Sequence, residues 1–447
     1  MIHPDQLKKK LAPFVITKEA DKAGIIFLRT VTQVSRFANS QIHQHMSDED
    51  QVIYFRLLLD GRVGIASTNS LDEQNLKETF KKALSIAGIK LDTQDKKDIP
   101  ALKPVKPLPD FYFPKTVRTD ARARAKTLKK IFDYADGLKV KFSGNLYNGF
   151  TQLCVIGPGK ARMNYQDFSF SGIKLIAASR KSSGYASSCG YTIDTLNPKK
   201  IADAAIEKCI LGFKKITLTP GRYDVILEPA AVAELIGWLN YIGFGAKRVF
   251  EETSFLYNKT GKRITGGQVS IYDYGLDKNT FIMPFDFEGL PRKKTYLIKN
   301  GVAGRPLCDS YYAKLLKMSS SGHANFPDDA EGPLGYNLVM EGGNEPADKI
   351  ISSAKRAILI TRFHYINGFL DTHRALMTGM TRDGTFLVED GKIKSGVKDM
   401  RFTESILEAF SRISRISQER KLCADHLETL GSVYAPTLYI KDFNFTS

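Results

Sequence analysis

The sequence predicts an α+β protein in which a mixed α/β domain at the N-terminus is followed by a β-rich domain at the C-terminus. Three observations support this prediction. Alternating apolar and polar residues within the first 67 positions indicate strands, and three segments with helical spacing follow them. Beyond Phe250 the chain is rich in glycine and in short strand-like runs. The 447 residues suffice for about two domains.

The first elements are predicted to be strands joined by tight turns. Residues 23–34 alternate and are rich in β-branched side chains, which favours a strand. Residues 51–59 and 62–67 flank Asp60-Gly61, a dipeptide typical of two-residue hairpin turns. We therefore expect a strand followed by a β-hairpin.

Helical spacing first occurs at residues 71–87, with Asn69 or Ser70 as the expected N-cap. Five prolines between residues 99 and 114 then exclude a helix or a central strand, which predicts an extended connection. A second helix is predicted at 117–138. One face of this helix is expected to be exposed to solvent and to carry a row of basic side chains, Arg118, Arg122, Lys126 and Lys129.

The rest of the first domain is predicted to consist of short strands at 139–193 and a helix at about 199–214. A Pro-Gly turn at 217–221 then precedes a new strand at 223–227, so we expect domains at 1–218 and 219–447 with a cleft between them. In the second domain a helix is predicted at 230–241, with Pro229 near its start. Further helices are predicted at 346–356 and 405–417.

Composition limits the classes of function. Five scattered cysteines without metal-ligand spacing indicate reduced thiols in a cytoplasmic protein. There is no apolar run of eighteen residues and no signal-peptide pattern, so no membrane partner is expected. The net charge of +17 attracts anions, but no nucleic-acid-binding motif accompanies it, and we expect no specific nucleic-acid partner.

Two polar segments carry the functional signal. The segment at 35–44, SRFANSQIHQ, places Arg36, Asn39 and His43 on or beside a predicted strand. Amide side chains offer donors and acceptors that suit an extended peptide, which could add to a strand edge, or these residues could join the strand to the neighbouring domain.

The second segment spans residues 378–405. Arg382 and Asp383 lie in TRDG, which predicts a hairpin turn, and Asp390-Gly391 predicts another turn one strand later. Arg382 and Asp383 are expected to form a local ion pair or to line a groove. His364 lies shortly before this segment, in TRFHYIN.

In this order and spacing, the two segments resemble the PmbA/TldD family, once described as modulators of DNA gyrase and now viewed as peptidases. Weaker similarity at 254–261 and 321–343 extends the resemblance over essentially the whole chain. It implies a fold of the PmbA/TldD type. It also implies one of two kinds of subunit, a metal-bearing TldD or a metal-free TldE, also called PmbA.

The predicted helix at 230–241 distinguishes the two kinds. In the peptidase subunit the corresponding helix carries HExxxH, whose histidines bind zinc and whose glutamate polarises water. This chain has no histidine there, and Ile236, Gly237 and Tyr241 stand at the positions of the motif. Glu234 is expected to be a helix-packing or polar-face acid. The resemblance therefore implies a PmbA/TldE-like chain that binds no cofactor, with zinc expected in a TldD-like partner.

The implied function is that of a non-catalytic subunit of a cytoplasmic TldD/TldE-type metallopeptidase complex that degrades or processes unfolded or small peptides. Its expected partners are the TldD-like zinc peptidase and peptide substrates, with a homodimer as a further assembly. We expect no catalytic or metal-binding residues in this chain. The candidate residues of a peptide groove are Arg36, Asn39, His43, His364, Arg382 and Asp383.

Three alternatives remain open. The chain could be a metallopeptidase by itself with an atypical metal site, at His43 and His45 or at His364, Asp371 and His373. It could be a protein that binds gyrase or nucleic acid, which the positive charge favours. It could also be a homodimer without a peptidase partner.

Overall fold

The computed structural model describes residues 1–89, 97–424 and 431–447, and it confirms the predicted α+β class. The elements of the first domain are α1 Pro4–Val15, β1 Lys22–Ala38, β2 Gln41–Leu59, β3 Arg62–Thr68, α2 Glu73–Gly88, α3 Pro114–Val117, α4 Ala121–Asp136, β4 Lys141–Ile156, β5 Met163–Ala178, β6 Ser183–Gly190 and α5 Pro198–Leu211.

The remaining elements build the second domain. They are β7 Lys215–Ile216, β8 Gly221–Leu227, α6 Pro229–Leu239, α7 Ala246–Phe250, β9 Ile271–Asp273, β10 Thr295–Lys299, β11 Val302–Ala303, α8 Ser310–Leu315, β12 Asn337–Met340, α9 Ala347–Ser352, β13 Arg356–Asp371, β14 Leu376–Glu389, β15 Lys392–Val397, β16 Arg401–Ser405, α10 Ile406–Ser411, β17 Ile413–Ala424 and β18 Ser432–Phe445. Within the described ranges, no helix is both long and apolar enough to cross a membrane.

The first sheet is antiparallel and has the strand order β3-β2-β1-β4-β5-β6. Its two faces differ because side chains alternate along each strand. On β1, Ile25 and Phe27 pack under helices α1 and α2, while Ile26 and Leu28 pack against the second domain. The strands are therefore buried on both faces. The face that carries Ile26 and Leu28 is called the domain-facing surface of the first sheet.

The second sheet is mixed and much longer, with the main strand order β11-β10-β9-β12-β18-β8-β13-β14-β15-β7. Helix α6 packs on one of its faces through Leu235 and Leu239, and α9 packs on the other through Ile350. Strand β7 lies before the boundary expected at residue 218, yet it pairs in parallel with β15 of this sheet.

The predicted helices of the first domain are largely confirmed, with two corrections, but helix α1 was not predicted. The helix expected at 117–138 is interrupted, because Asp120 begins a new helix by accepting a hydrogen bond from the backbone N–H of Ala123 at 2.8 Å. The N-cap of α2 is Asp72, and neither Asn69 nor Ser70 occupies that position.

Predictions in the second domain need larger corrections. The helix expected at 405–417 ends at Ser411, and strand β17 follows at once. The short helix α8 was not predicted. Asp390-Gly391 forms the predicted hairpin between β14 and β15, but Asp383-Gly384 does not form a hairpin and lies inside the continuous strand β14.

The two domains are in direct contact where a cleft was expected. Apolar side chains of β1, β2 and β4 pack against Met283, Phe285 and Phe287 of the second domain. A second cluster joins Phe168 to Phe281, with ring centroids 6.0 Å apart. The small cavity beside these clusters measures about 20 Å³, enough for a single water molecule.

A buried arginine fixes α4 on the first sheet. Arg124 is 2% exposed, and its guanidinium donates to Ser35 Oγ at 2.8 Å, Asn148 Oδ1 at 2.8 Å, Gln33 Oε1 at 3.0 Å and the Thr119 carbonyl at 2.9 Å. All four acceptors are uncharged. The charge of Arg124 is therefore held by hydrogen bonds instead of by a buried carboxylate.

Replacing Arg124 should destabilise the protein far more than replacing an exposed neighbour. Arg124→Ala leaves buried acceptors without donors, so we expect the free energy of unfolding to fall by about 3 kcal/mol. Arg122 is exposed on the same helix. Arg122→Ala should change the free energy of unfolding by less than about 0.5 kcal/mol. Urea unfolding of both variants measures the difference, and equal losses would contradict this role of Arg124.

Candidate functional site

The candidate site lies where β6, the edge strand of the first sheet, meets β13 and β14 of the second. Asp383 is its central residue and is 7% exposed. One carboxylate oxygen accepts a hydrogen bond from Ser183 Oγ at 2.7 Å, and the other accepts from Arg362 Nε at 3.1 Å and Nη2 at 2.5 Å. A single carboxylate thus joins the two domains.

A β-bulge gives Asp383 its position. Arg362 pairs with Arg382 and Ile360 pairs with Thr385, so β14 has one more residue than β13 between these pairs. Asp383 has a positive φ of 51°, and Gly384 follows with a φ of 137°. A Cβ on Gly384 would lie 2.4 Å from Thr361 Oγ1. Glycine is therefore required beside Asp383, and the bulge turns the carboxylate towards the first domain.

Arg362 is held between the two domains by an aromatic ring as well as by Asp383. Its guanidinium carbon lies 4.7 Å from the ring centroid of Tyr185, a cation–π contact. Burial raises the pKa of Tyr185 to about 12, so the phenol stays neutral. The Tyr185 carbonyl accepts a hydrogen bond from Lys208 Nζ at 3.3 Å, and Lys208 pairs with Glu228 at 2.5 Å.

Glu234 on α6 lies beside this junction. Its Oε2 accepts the backbone N–H of Phe363 at 2.9 Å, next in sequence to Arg362. Burial raises the pKa of Glu234 to about 8, although Arg362, the Phe363 N–H and Lys174 oppose the shift. The side chain is therefore mostly protonated at neutral pH. Glu234 is a helix-packing acid, one of the two roles expected for it.

The residues of α6 do not fit a zinc ion. The helix carries one carboxylate, Glu234, and neither histidine nor cysteine. Its Oε2 is already used by the Phe363 N–H. In the part of the chain that the structure describes, no three or more His, Cys, Asp or Glu side chains come together as a metal site. No chemical step through a metal can be derived for this helix.

Three of the six predicted groove residues come together on β13 and β14. His364 lies two residues after Arg362 and pairs with Met380, and Arg382 lies directly opposite Arg362. Burial lowers the pKa of His364, and the charges of Arg382 and Arg362 lower it further. Asp383 binds Arg362, so the expected ion pair between Arg382 and Asp383 is wrong.

Arg36 lies on the domain-facing surface, in one row across the first sheet. Arg36 pairs with Asn145, Asn145 with Lys174, and Lys174 with Ser187, so the four side chains share a face. The charge of Lys174 also lowers the pKa of Glu234, against the effect of burial. The row therefore leads from the exposed Arg36 to the junction between the domains.

The other two residues of the first segment do not reach the junction through any described contact. Asn39 is a turn residue, with a positive φ of 53°, in the hairpin between β1 and β2. His43 occupies the bulge of β2, where Arg36 pairs with Gln44 and Phe37 pairs with Ile42. The segment at 35–44 is thus a hairpin tip and not a single strand.

The two histidine groups considered as metal sites are not clusters. His45 is hydrogen-bonded to Ser35 Oγ at 2.8 Å, while His43 lies in the bulge. His364 and Asp371 are seven positions apart on β13, roughly 20 Å along a strand. His373 lies beyond Asp371 at the exposed end of that hairpin. His426 lies outside the described residues.

A buried Asp–His–Ser chain also occurs in the second domain. His323 Nε2 lies 2.9 Å from Asp273 Oδ1, and His323 Nδ1 lies 2.9 Å from Ser321 Oγ. Arg292 and His323 hold the pKa of Asp273 well below its ordinary value against the effect of burial. Ser321 is 3% exposed, and its hydroxyl is bonded to the backbone of Cys308. This chain of residues stabilises the core and offers no accessible nucleophile.

Sequence reasoning missed several residues of the junction. Ser183 and Tyr185 lie on an ordinary alternating strand, and only the packing of β6 on the second domain identifies them. Arg124 could have been found, because it is spaced at helical intervals from Leu128 and Ile131, which are buried on the same face of α4.

Comparison with known protein families gives two matches. Residues 220–447 match the model described as the PmbA/TldA metallopeptidase C-terminal domain. Residues 23–87 match the model described as PmbA/TldA metallopeptidase domain 1. The first match alone covers more than half of the chain.

Individual relatives and solved structures agree with these models. The chain is 25% identical over 431 residues to a metalloprotease TldD homolog of Buchnera aphidicola, covering 91% of this chain and 87% of that protein. It is 24% identical over 399 residues to metalloprotease PmbA of Escherichia coli O157:H7, with coverages of 85% and 83%. The fold matches the crystal structure of TldE from Thermococcus kodakarensis with a TM-score of 0.85 and 17% identity, covering 98% and 100% of the two chains.

Asp383→Asn should destabilise the protein through the domain junction. The variant removes the charge that holds Arg362 between the domains, so we expect the free energy of unfolding to fall by about 3 kcal/mol. Asp390 is the matched control because it also has a positive φ and precedes a glycine. Asp390→Asn should cost less than about 0.5 kcal/mol, since asparagine accepts that conformation. Chemical denaturation measures the free energy of unfolding of both variants. An Asp383→Asn variant as stable as the wild type would contradict the role of the junction.

Glu234 should make stability depend on pH. Folding raises the pKa of Glu234. The contribution of Glu234 to the free energy of unfolding is therefore complete below about pH 4.5 and is lost as the pH rises towards 8. Glu234→Gln should remove this change in the free energy of unfolding, which amounts to roughly 3–5 kcal/mol between those pH values. Exposed Glu207 on α5 supplies the control Glu207→Gln. Unfolding at several pH values tests this, and parallel curves for wild type and Glu234→Gln would refute it.

Proposed function

This chain belongs to the PmbA/TldD metallopeptidase family, and we propose that it is the non-catalytic subunit of a two-subunit peptidase. Its partner is a TldD-like zinc peptidase, and the complex processes small or unfolded peptides. This chain forms one wall of the substrate chamber and positions the peptide for the metal of the partner. The observation that carries the proposal is the donor set of α6, which offers one occupied carboxylate and no other ligand.

The state of Glu234 supports the non-catalytic role. A general base at neutral pH must be ionised and free to take a proton from water. Glu234 has a pKa of about 8 and accepts the Phe363 N–H. It therefore lacks both properties and serves the packing of α6 on β13.

The edge of the first sheet beside the domain junction supports the peptide-positioning role. Strand β6 is the last strand of its sheet, so one of its edges has no neighbouring strand in that sheet. An extended peptide binds such an edge through backbone hydrogen bonds, and side chains beside the edge give selectivity. Arg36, Ser187, His364 and Arg382 are polar groups along this region that a peptide could contact.

Reconstitution tests the proposal. We expect the purified chain to contain no zinc and to leave an unstructured peptide intact, while a mixture with its TldD-like partner cleaves the peptide. Glu234→Gln in this chain should leave cleavage by the mixture unchanged, because Glu234 is not the base. About one zinc per chain, with chelator-sensitive cleavage by this chain alone, would overturn the proposal.

A further inference from the structure

Two arginines face each other at the centre of the candidate site. Arg362 and Arg382 are directly opposed on neighbouring antiparallel strands. Like charges in this arrangement repel and destabilise a sheet. Asp383 neutralises Arg362. Arg382 is exposed, and within the described residues its side chain has neither an ion pair nor a hydrogen bond. One positive charge of the pair is therefore uncompensated.

The surrounding charges do not remove this excess. Burial raises the pKa of Asp399, and Lys215 counteracts that more strongly than Arg382 does. His364 is pushed towards its neutral form by burial and by the two arginines. Asp383 is thus paired with Arg362, while no carboxylate of the described residues forms an ion pair with Arg382.

The backbone beside the arginines adopts a costly conformation. Tyr365 has a positive φ of 52°, which is rare for a bulky side chain and marks a constrained position. Its side chain is 80% exposed and lies against His364, with ring centroids 4.3 Å apart. An exposed aromatic surface is thus held against His364, whose pKa Arg382 also lowers, and it can contact the apolar part of a bound peptide.

We propose that Arg382 binds a carboxylate of the peptide and so makes the chain selective for peptide acids. A guanidinium binds a carboxylate through two parallel hydrogen bonds, which fixes its orientation as well as its charge. The carboxylate is the C-terminus of the peptide or an Asp or Glu side chain. This inference rests on the proposed function, since it identifies the group that the peptide-positioning wall recognises.

Direct binding to the full chain tests the inference without any cleavage. Three fluorescent peptides of the same unstructured sequence are compared by anisotropy: a free acid without acidic side chains, its C-terminal amide, and an amide with one internal Glu. We expect the free acid to bind about tenfold more tightly than the plain amide, because a charge-assisted hydrogen bond contributes about that much to affinity. Tight binding of the Glu peptide would show that side-chain carboxylates are also accepted.

Variants assign the effect to Arg382. Arg382→Gln should reduce the ratio of acid to amide affinity to about one, and Arg382→Lys should restore only part of it, because lysine lacks the planar fork. Arg374→Gln is the control, since Arg374 is exposed near the end of the same hairpin and pairs with Glu408 at the surface. It should keep the tenfold ratio.

Two results would overturn the inference: equal affinity of the wild-type chain for acid and amide, including no binding of either, or an unchanged ratio in Arg382→Gln. Failure of the proposed function is separate, because cleavage of the plain amide by the mixture with the peptidase partner tests it. A mixture that cleaves acid and amide equally well would leave the subunit role standing and remove the selectivity.

Discussion

The carboxylate of Asp383 is the contact on which the arrangement of the two domains depends. It accepts hydrogen bonds from Ser183 in the first domain and from Arg362 in the second, and it is almost completely buried. A buried carboxylate is stable only when its charge and its hydrogen-bonding capacity are both satisfied. Separation of the domains would break the Ser183 contact and hydrate the ion pair, so the junction and the adjacent apolar clusters stabilise each other.

The same junction determines the role of Glu234 in this chain. Glu234 on α6 is used to satisfy the Phe363 N–H at the bulged part of β13. Its protonated state removes the cost of burying a charge there. The helix thus contributes packing and a hydrogen bond, while Arg382 and His364 on the neighbouring strands remain accessible to a ligand.

Local patterns in the sequence predicted many of the elements in the first domain and fewer in the second, where strands pair between distant segments. The Asp60-Gly61 and Asp390-Gly391 hairpins followed from turn chemistry. The dipeptide at Asp383 has the same chemistry but forms a bulge, because β13 pairs with β14 on both sides of it. His364 and Arg382 were selected on resemblance, whereas Ser183 and Arg362 could not be linked to Asp383 before the domains were placed together.

Photo-crosslinking in the proposed complex with a TldD-like partner tests the central proposal most directly, namely that this chain forms a wall of the peptide chamber. Gln44 lies opposite Arg36 in the row on the domain-facing surface, and Lys81 lies on the outer face of α2. A benzophenone side chain placed at Gln44 should crosslink to a bound, slowly cleaved peptide, and one at Lys81 should not. Equal labelling at both positions, or labelling of the partner alone, would contradict the account.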